Sequence, residues 1–200
     1  MRFLLISILF FSNLGLGQQT LPERVDSNTP AEVQMQFITE AAPPDVVEHA
    51  TIYILGARGY QKTRAGSNGF SCLVLRELPD TVEPECYDAE GSATLLKADL
   101  YLEQQRARGR NDEAIKKEIA AGYKSGRFKA PRKPGIVYML SPHNRVFDPE
   151  SQKVVSFPGH LMFYAPYATA KTVGGGKGAP YIVHPGEPDA LLIVVPAAMH

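Results

Sequence analysis

The sequence predicts an α+β domain in which an antiparallel sheet carries two main helices packed on one face. Two observations lead to this prediction. Short segments rich in β-branched and aromatic residues occur on both sides of the middle third of the chain, and Pro, Gly and Asn separate them, as is typical of strands joined by turns. Helical periodicity is largely confined to the middle third, which leaves few helices for the crossovers that parallel strands need.

The first 17 residues have the pattern of a signal peptide. Arg2 supplies a positive charge, residues 3–11 (FLLISILFF) are apolar, and Gly15 and Gly17 place small residues before a cleavage site. The apolar run is well short of the roughly 20 residues that cross a bilayer. We therefore expect cleavage after Gly17, export to the periplasm or the medium, and no stable membrane insertion after cleavage. An uncleaved membrane anchor is the alternative.

The mature chain is then divided into a leader, residues 18–43, and a single α+β domain, residues 44–197. The polar stretch at 18–30 has no apolar periodicity, which favours a mobile segment. Residues 30–42 begin with proline and carry a loose apolar stripe, so a short helix is predicted there, ended by a double proline.

Three strands are expected at the start of the domain, at residues 50–56, 58–64 and 69–77. The pair Asn68–Gly69 separates the last two. Because Asn-Gly is a strong turn signal, these two strands are predicted to form a β-hairpin.

The middle third predicts the two main helices, residues 92–109 and 111–126. Ser92 is placed as the N-cap of the first and Gly109 as its end, while Asn111 caps the second. Almost no chain separates the two helices, so they are expected to form a helical hairpin or corner.

Short apolar strands resume after the helices. They are separated by Pro, Gly and Asn, and antiparallel pairing is expected among them. The predicted strands are residues 136–141, 153–157, 161–165, 181–184 and 191–196.

The two cysteines, Cys72 and Cys86, are predicted to form a disulfide, because export would place a close pair in an oxidising compartment. Closing a loop of this length stabilises a fold by about 3 kcal/mol in the chain-entropy estimate. Side-chain alternation along the strand places Cys72 on the same face as Phe70 and Val74. A catalytic thiol is the alternative.

The charge balance limits the partners. Lysine and arginine number 21, as do aspartate and glutamate, so the formal net charge is zero. Nucleic-acid binding needs a basic face that neutralises phosphates, so this class of partner is not expected. No cofactor is expected either. The partners that remain are an unknown small molecule or an envelope protein.

His160 is the first candidate for chemistry, because it follows Pro158-Gly159 and opens an apolar, aromatic run, LMFYAPY. A partly apolar environment would favour the neutral imidazole and suit it to acid–base chemistry. The alternative is that His160 hydrogen-bonds a neighbouring carbonyl and closes one end of the sheet.

A hydrolase-like enzyme requires His160, His143 and Arg76 to meet in one pocket. Arg76 ends an apolar strand, where it either anchors a carboxylate or marks the strand's exit to water. For ligand binding, the candidates are His160, Tyr164 and His184, since strand ends can meet at one end of a sheet.

No metal site is predicted, because the sequence contains neither H-E-x-x-H nor a paired-cysteine motif. A zinc site assembled in space from His143, His160 and His184 is the alternative.

The segment at residues 83–92, EPECYDAEGS, concentrates carboxylates. Glu83, Glu85, Asp88 and Glu90 offer oxygens of the kind that calcium prefers, but their spacing is not that of an EF-hand. A solvated acidic loop held by the disulfide is the simpler interpretation.

The glycine-rich segment GGGKG at residues 174–178 does not match a phosphate-binding loop, because no Ser or Thr follows the lysine and the next residues predict a strand. A hairpin connection is expected, with a mobile flap over a pocket as the alternative.

Four blocks resemble a group of small exported bacterial proteins that have no assigned activity: SNGFSCLVLRELP, ECYDAEGS, PGIVYMLSPHNRVFD and GHLMFYAPY. The resemblance covers about residues 45–196. It implies a bacterial envelope location and brings no catalytic residues with it.

These observations favour a non-catalytic domain that binds a small ligand or a partner protein at one end of its sheet. The alternative is the hydrolase-like enzyme that uses His160 with His143 and Arg76. A third hypothesis is an interaction protein that presents Tyr164 and Tyr167, and it predicts an exposed apolar patch around Tyr167.

Overall fold

The computed structural model describes residues 21–148, 150–175 and 180–195, and all structural statements concern these residues. The helices are α1 (Ala31–Thr39), α2 (Pro44–His49), α3 (Ala89–Ala93), α4 (Leu95–Arg106) and α5 (Asp112–Ser125), with a 3-10 turn at Ala170–Val173. The strands are β1 (Thr51–Gly56), β2 (Gly59–Arg64), β3 (Ser71–Leu75), β4 (Glu83–Tyr87), β5 (Ile136–Met139), β6 (Arg145–Asp148), β7 (Lys153–Ser156), β8 (His160–Tyr164), β9 (Tyr181–Val183) and β10 (Leu191–Val194).

Eight of these strands form one sheet in the order β2-β1-β3-β4-β5-β8-β10-β9. Every neighbouring pair is antiparallel except β1 and β3, which run parallel. Strands β6 and β7 form a separate two-stranded hairpin. The α+β prediction is confirmed, and each predicted strand has a counterpart within a few residues. Two observed strands had no prediction: β4, whose segment was interpreted as an acidic loop, and β6, whose segment RVFD is too short to show a pattern.

The hairpin predicted around Asn68–Gly69 is wrong. Strand β2 returns along β1 through a tighter turn, where Gly56 pairs with Gly59, while β3 lies on the opposite edge of β1. The Asn68 amide donates to the Val46 carbonyl at 2.8 Å, so this residue ties the connecting loop to α2. The turn signal therefore marks a loop that crosses from one edge of β1 to the other.

The sheet is covered on both faces, as the alternation along β3 shows. Cys72 and Val74 belong to a core that includes Phe37 of α1. Leu73 and Leu75 belong to the opposite core, which includes Leu95 and Leu96 of α4. The two main helices α4 and α5 contact each other on this second face, as expected, whereas α1 covers the first.

Local signals explain the helix boundaries. Asn111 caps α5 as predicted, accepting from the Ala114 N–H at 2.8 Å. The first main helix begins later than predicted, because Ser92 lies inside the short helix α3. Asp88 is the residue that caps α3, and its side chain accepts from the Gly91 N–H at 3.0 Å.

Cys72 and Cys86 form the predicted disulfide. They lie directly opposite each other on β3 and β4, with Cα atoms 4.1 Å apart. Both are fully buried, on the face of the sheet that α1 covers. Phe70 packs on the same face, as the alternation predicts.

The leader contributes to the core. Val25 is fully buried, and its carbonyl accepts a hydrogen bond from Arg76 at 3.2 Å. The predicted short helix is α1. The buried amide of Gln34 donates to the carbonyl of Leu55 and accepts from its N–H, at 2.9 and 2.8 Å, which fastens α1 to β1.

The predicted signal peptide, residues 1–17, and positions 176–178 of the GGGKG segment lie outside the described residues. Within the described ranges, no helix combines the length and the apolar character needed to cross a membrane.

Candidate functional site

Strand β4 places two carboxyl groups and a phenol on the buried face beneath α4. Because side chains alternate along a strand, Glu83, Glu85 and Tyr87 share one face, and Cys86 points to the other. The three are 8%, 3% and 3% exposed. Charged residues are seldom buried to this degree unless they are paired, so the surroundings of these carboxyl groups require an explanation.

Helix α4 supplies a third carboxyl group, that of the half-buried Asp99. The Tyr87 hydroxyl donates to Asp99 Oδ2 at 3.1 Å. Glu83 Oε1 accepts from the Glu77 N–H at 3.3 Å. We call Glu83, Glu85, Tyr87 and Asp99 the acidic cluster.

Burial shifts the acidity of every member of the acidic cluster. Removal from water raises the pKa of Glu83 to about 7 and that of Asp99 to about 7. Burial, with the neighbouring Glu83 carboxylate adding to it, raises the pKa of Glu85 well above its ordinary value. Burial also raises the pKa of the Tyr87 hydroxyl, and the negative charge of Asp99 is the second largest cause. At neutral pH the cluster therefore retains protons that exposed carboxyl groups would lose.

One oxygen of the acidic cluster has no partner. Glu85 Oε2 is buried and forms no hydrogen bond with any described residue. A buried polar atom left without a partner costs about 1–3 kcal/mol, and in native proteins such an atom calls for a specific reason. An absent hydrogen-bond donor, supplied by a ligand, is one such reason.

His184 forms the solvent side of the acidic cluster. It follows β9 with a left-handed backbone, at φ 49°. Its Nδ1 lies 3.2 Å from Asp189 Oδ2, and its Nε2 lies 3.7 Å from Glu77 Oε1. Partial burial alone would lower the pKa of His184, but the two carboxylates outweigh it and raise the pKa to about 10. The positively charged imidazolium thus lies between two negatively charged carboxylates. It is also within electrostatic reach of Glu83 and Asp99.

Arg76 belongs to a separate group of paired charges, which we call the ion-pair network: Arg76, Glu103, Arg106 and Asp112. Glu103 is 2% exposed and receives Arg76 at 2.7 Å and Arg106 at 2.5 Å. Arg106 also pairs with Asp112 at 2.6 Å. Arg76 does bind a carboxylate, as one interpretation holds, but that carboxylate is internal and joins β3 to α4.

His160 is enclosed in the sheet and is 1% exposed. Its Nδ1 lies 2.9 Å from the Pro158 carbonyl, and its ring meets Phe157 edge-on at 4.9 Å. Burial lowers the pKa of His160, against the smaller opposing effect of that carbonyl. The geometry matches the alternative in which His160 hydrogen-bonds a neighbouring carbonyl.

His143 lies elsewhere, with Nε2 3.6 Å from Glu40 Oε2 and its ring edge-on to Phe37 at 6.0 Å. In the described ranges, no hydrogen bond, ion pair or ring contact joins His143, His160 and Arg76 to one another. Each of the three has hydrogen-bond or ion-pair partners of its own.

Tyr164 connects neighbouring elements through the hydrogen bonds of its hydroxyl group. Its hydroxyl donates to Asp88 Oδ1 at 2.7 Å and lies 3.1 Å from the Ile136 carbonyl. This arrangement links β8 to the cap of α3 and the start of β5. Tyr167, by contrast, is 62% exposed. Of the catalytic and ligand-binding candidates taken from the sequence, His184 alone lies beside the acidic cluster.

The interpretation of residues 83–92 as a solvated loop is wrong for Glu83 and Glu85, which lie in a buried strand. The segment's other two acids serve α3 and its surroundings: Asp88 caps the helix, and Glu90 accepts from the Arg132 N–H at 2.7 Å. The alternation of acids at positions 83 and 85, followed by a tyrosine at 87, was the signal that could have placed them on one face. No pattern could have indicated Asp99, since its partners come from another element.

The described residues contain no group of three or more His, Cys, Asp or Glu placed to hold a metal ion. Calcium requires six to eight oxygens at about 2.3–2.6 Å.

The chain matches no protein-family model, no curated protein and no solved structure. A functional assignment therefore depends on the geometry of the site.

Proposed function

We propose that this chain is an exported binding protein whose acidic cluster receives the cationic group of a small ligand, an ammonium or a guanidinium. The observation that carries the proposal is the buried, unpartnered Oε2 of Glu85. It lies among two further carboxyl groups, those of Glu83 and Asp99, and no lysine or arginine among the described residues pairs with any of the three. An N–H donor with a positive charge would satisfy the oxygen and stabilise the ionised carboxylates together.

The route to the cluster is its His184 side. Asp99 is half-buried, and the side chains of His184, Glu77 and Asp189 are 41%, 40% and 31% exposed. The positive charge of His184 is balanced there by its two carboxylate partners, so it does not bar a second cation. A ligand that enters at this edge meets Asp99 first and the deeper carboxyl groups after it.

Binding should release protons. The free acidic cluster holds its protons near neutral pH, because burial raises the pKa of Glu83 and Asp99 to about 7. A bound cation favours the ionised carboxylates. Affinity should consequently rise between pH 5 and pH 8, and calorimetry in buffers of different ionisation enthalpy should detect the released protons.

The test uses methylguanidinium and putrescine as probes in isothermal titration calorimetry. Glu85→Gln keeps the size of the side chain and removes its charge, and it should weaken binding about tenfold or more, the value of one charge-assisted hydrogen bond. Glu113→Gln is the matched control, because the Glu113 side chain is 81% exposed and pairs with Lys117 at the surface. Equal affinity in wild type and Glu85→Gln, or no saturable binding of either probe, would overturn the proposal.

A hydrolase is the second candidate, and a specific observation favours it. Glu83 and Asp99 both have a pKa of about 7, so near neutral pH one carboxyl group can donate a proton while the other accepts one. The alternative catalytic set of His160, His143 and Arg76 has no direct contact among its members in the described part of the chain. Hydrolytic turnover of glycoside or ester substrates that Glu83→Gln and Asp99→Asn both abolish would support this candidate over simple binding.

Export is part of the proposal. The signal-peptide pattern of residues 1–17, the Cys72–Cys86 disulfide and the resemblance to small exported bacterial proteins support it. Mass spectrometry of protein recovered from a bacterial envelope should find a chain that begins at Gln18. A chain that still begins at Met1 would argue for an anchored or internal protein.

A further inference from the structure

We infer that a basic cleft on the far side of α4 binds a small ligand that carries at least two anionic groups, carboxylate or phosphate. The cleft has a volume of about 330 Å³ and lies between the β1–β2 turn, α4 and the segment after α5. Its lining includes Arg58, Lys97, Tyr101, Gln104, Arg127 and Phe128. We call these six residues the basic cleft.

The first wall depends on a close approach between the hairpin and α4. A Cβ atom at Gly59 would lie 2.9 Å from the backbone nitrogen of Gln104, so only glycine allows this packing. Its φ of 87° also favours glycine. The preceding residue, Arg58, is thereby positioned beside the helix.

The floor is one face of α4. Lys97, Tyr101 and Gln104 are spaced by four and three residues, which places them on a common stripe of the helix. Asp99 of the acidic cluster lies on the opposite side of α4, about 200° around the helix axis from Lys97. The basic cleft is therefore a separate site from the acidic cluster.

The second wall follows α5. Gly122 leaves room for the Phe128 ring, since a Cβ atom there would lie 2.4 Å from Phe128 Cδ2. The neighbouring Arg127 guanidinium stacks 4.3 Å from the Tyr101 ring centre and 5.0 Å from that of Phe128. Stacking fixes a guanidinium by its face and leaves its N–H edge available to a planar anion.

The charge of the basic cleft is unbalanced. Arg58, Lys97 and Arg127 come from three different elements, and in the described ranges none of them forms an ion pair. Among the described residues, no carboxylate lines the cavity, although Arg127 is within electrostatic reach of the neighbouring Glu118. Glu118, which lies next to it, is already engaged by Arg110 at 2.5 Å and by the Tyr101 hydroxyl at 2.6 Å.

Three like charges around one cavity repel each other, and an anion among them relieves that repulsion. Because the charges stand on separate walls, a ligand with two or more anionic groups contacts more of them than a monoanion does. The cavity volume lies at the lower end of the range for small-molecule sites, about 300–1,000 Å³. These properties fit a compact di- or trianion.

The experiment titrates inorganic pyrophosphate, citrate and acetate into the full mature chain at low salt, with NMR or calorimetric detection. Pyrophosphate or citrate should bind saturably and acetate much more weakly, and the affinity should fall as salt is added. Binding of pyrophosphate alone identifies a phosphate ligand, binding of citrate alone a polycarboxylate, and binding of both a general polyanion site.

The variants Arg58→Gln, Lys97→Gln and Arg127→Gln should each weaken binding about tenfold, as expected for loss of a charge-assisted contact. All three side chains belong to exposed residues, so the variants should fold, which circular dichroism checks. Lys62→Gln is the matched control, because Lys62 is an exposed cation on the same hairpin outside the cleft lining. No saturable binding of either polyanion, or an equal loss in Lys62→Gln, would overturn the inference.

Discussion

Glu103 and Glu85 are buried to nearly the same degree, 2% and 3% exposed, yet their carboxyl groups have opposite surroundings. Glu103 lies between the guanidinium groups of Arg76 and Arg106. Glu85 lies beside other acids, and one of its oxygens has no partner among the described residues. A fold can therefore bury a carboxyl group in two ways. It can pair the carboxylate with a fixed cation, or it can keep the carboxyl group protonated.

The difference has consequences for function. Two guanidinium groups, those of Arg76 and Arg106, pair with Glu103, so the ion-pair network joins the end of β3, α4 and α5. The acidic cluster keeps its capacity to ionise and to accept a hydrogen bond. Strongly perturbed carboxyl groups of this kind concentrate at functional sites, and this is why the acidic cluster and not the network is the candidate site.

The largest expected effect is on the ion-pair network. Glu103→Ala should lower the free energy of unfolding by about 3–5 kcal/mol, because it leaves the largely buried Arg76 guanidinium without a counter-charge and leaves Arg106 with Asp112 alone among its carboxylate partners in the described ranges. Urea unfolding monitored by circular dichroism measures the loss. Glu113→Ala, which breaks only the exposed pair with Lys117, should change stability little. Similar losses in the two variants would mean that the buried ion pairs contribute no more to the free energy of unfolding than an exposed pair does.

The acidic cluster should make stability fall as pH rises. Glu83 has a folded-state pKa of about 7 against its ordinary value of 4.5, so the folded state binds more protons between these two pH values. The shift corresponds to about 3 kcal/mol, present below pH 4.5 and lost as pH rises through 7. Asp99 acts in the same direction.

The free energy of unfolding measured from pH 4 to pH 8 in wild type and Glu83→Gln tests this effect. The difference between the two proteins isolates Glu83 from groups of opposite sign, such as Asp112, whose pKa is lowered chiefly by its hydrogen bond with Arg106. Wild type should lose more stability than the variant over this interval. Parallel curves would show that Glu83 titrates normally.

Tyr87→Phe should have a smaller effect, a loss of about 1–2 kcal/mol, because it removes the hydrogen bond that the buried Tyr87 hydroxyl donates to Asp99. The loss should grow with pH, since the Tyr87 hydrogen bond favours ionised Asp99. Tyr123→Phe is a matched control, because the Tyr123 hydroxyl is buried without a partner in the described part of the chain. Thermal melts at pH 5 and pH 8 should separate the two variants, and equal losses would argue against the hydrogen bond.

The fold was largely predictable because its signals are local. Apolar segments bounded by turn residues located the strands, and Asn111 located the start of α5. The pairing of β1 with β3 was not predictable, since it depends on which edge of β1 the chain reaches after the loop at Asn68. Turn residues indicate a change of direction without fixing the partner strand.

The candidate site was much less predictable. The sequence analysis singled out histidines at strand ends. Of these, His184 reaches the side of the acidic cluster through its contact with Glu77, although β5, β8 and β10 separate its strand β9 from β4 in the sheet. The decisive property of Glu85 is that its carboxyl group is buried without a cationic partner among the described residues. The residues next to Glu85 in the sequence predict neither its burial nor the lack of a partner. The basic cleft is hidden for the same reason, because Arg58, Lys97 and Arg127 meet only in the folded chain.

The smallest expected effect concerns His184, which is a paired charge at the edge of the acidic cluster. Asp189 and Glu77 overcome the effect of partial burial and raise its pKa to about 10, so its stabilisation is present below its ordinary value of 6.5 and lost as pH rises through 10. Its side chain is 41% exposed, so solvent screening should hold the loss in His184→Gln at pH 6 to at most about 1 kcal/mol.

An NMR titration of the His184 ring is the more sensitive measurement, with Asp189→Asn as the informative variant. Removing the Asp189 charge should lower the His184 pKa and leave Glu77 as its remaining carboxylate partner among the described residues. An unchanged His184 pKa would mean that solvent screens the pair. The solvent side of the acidic cluster would then lack the balanced imidazolium that lets a second cation approach.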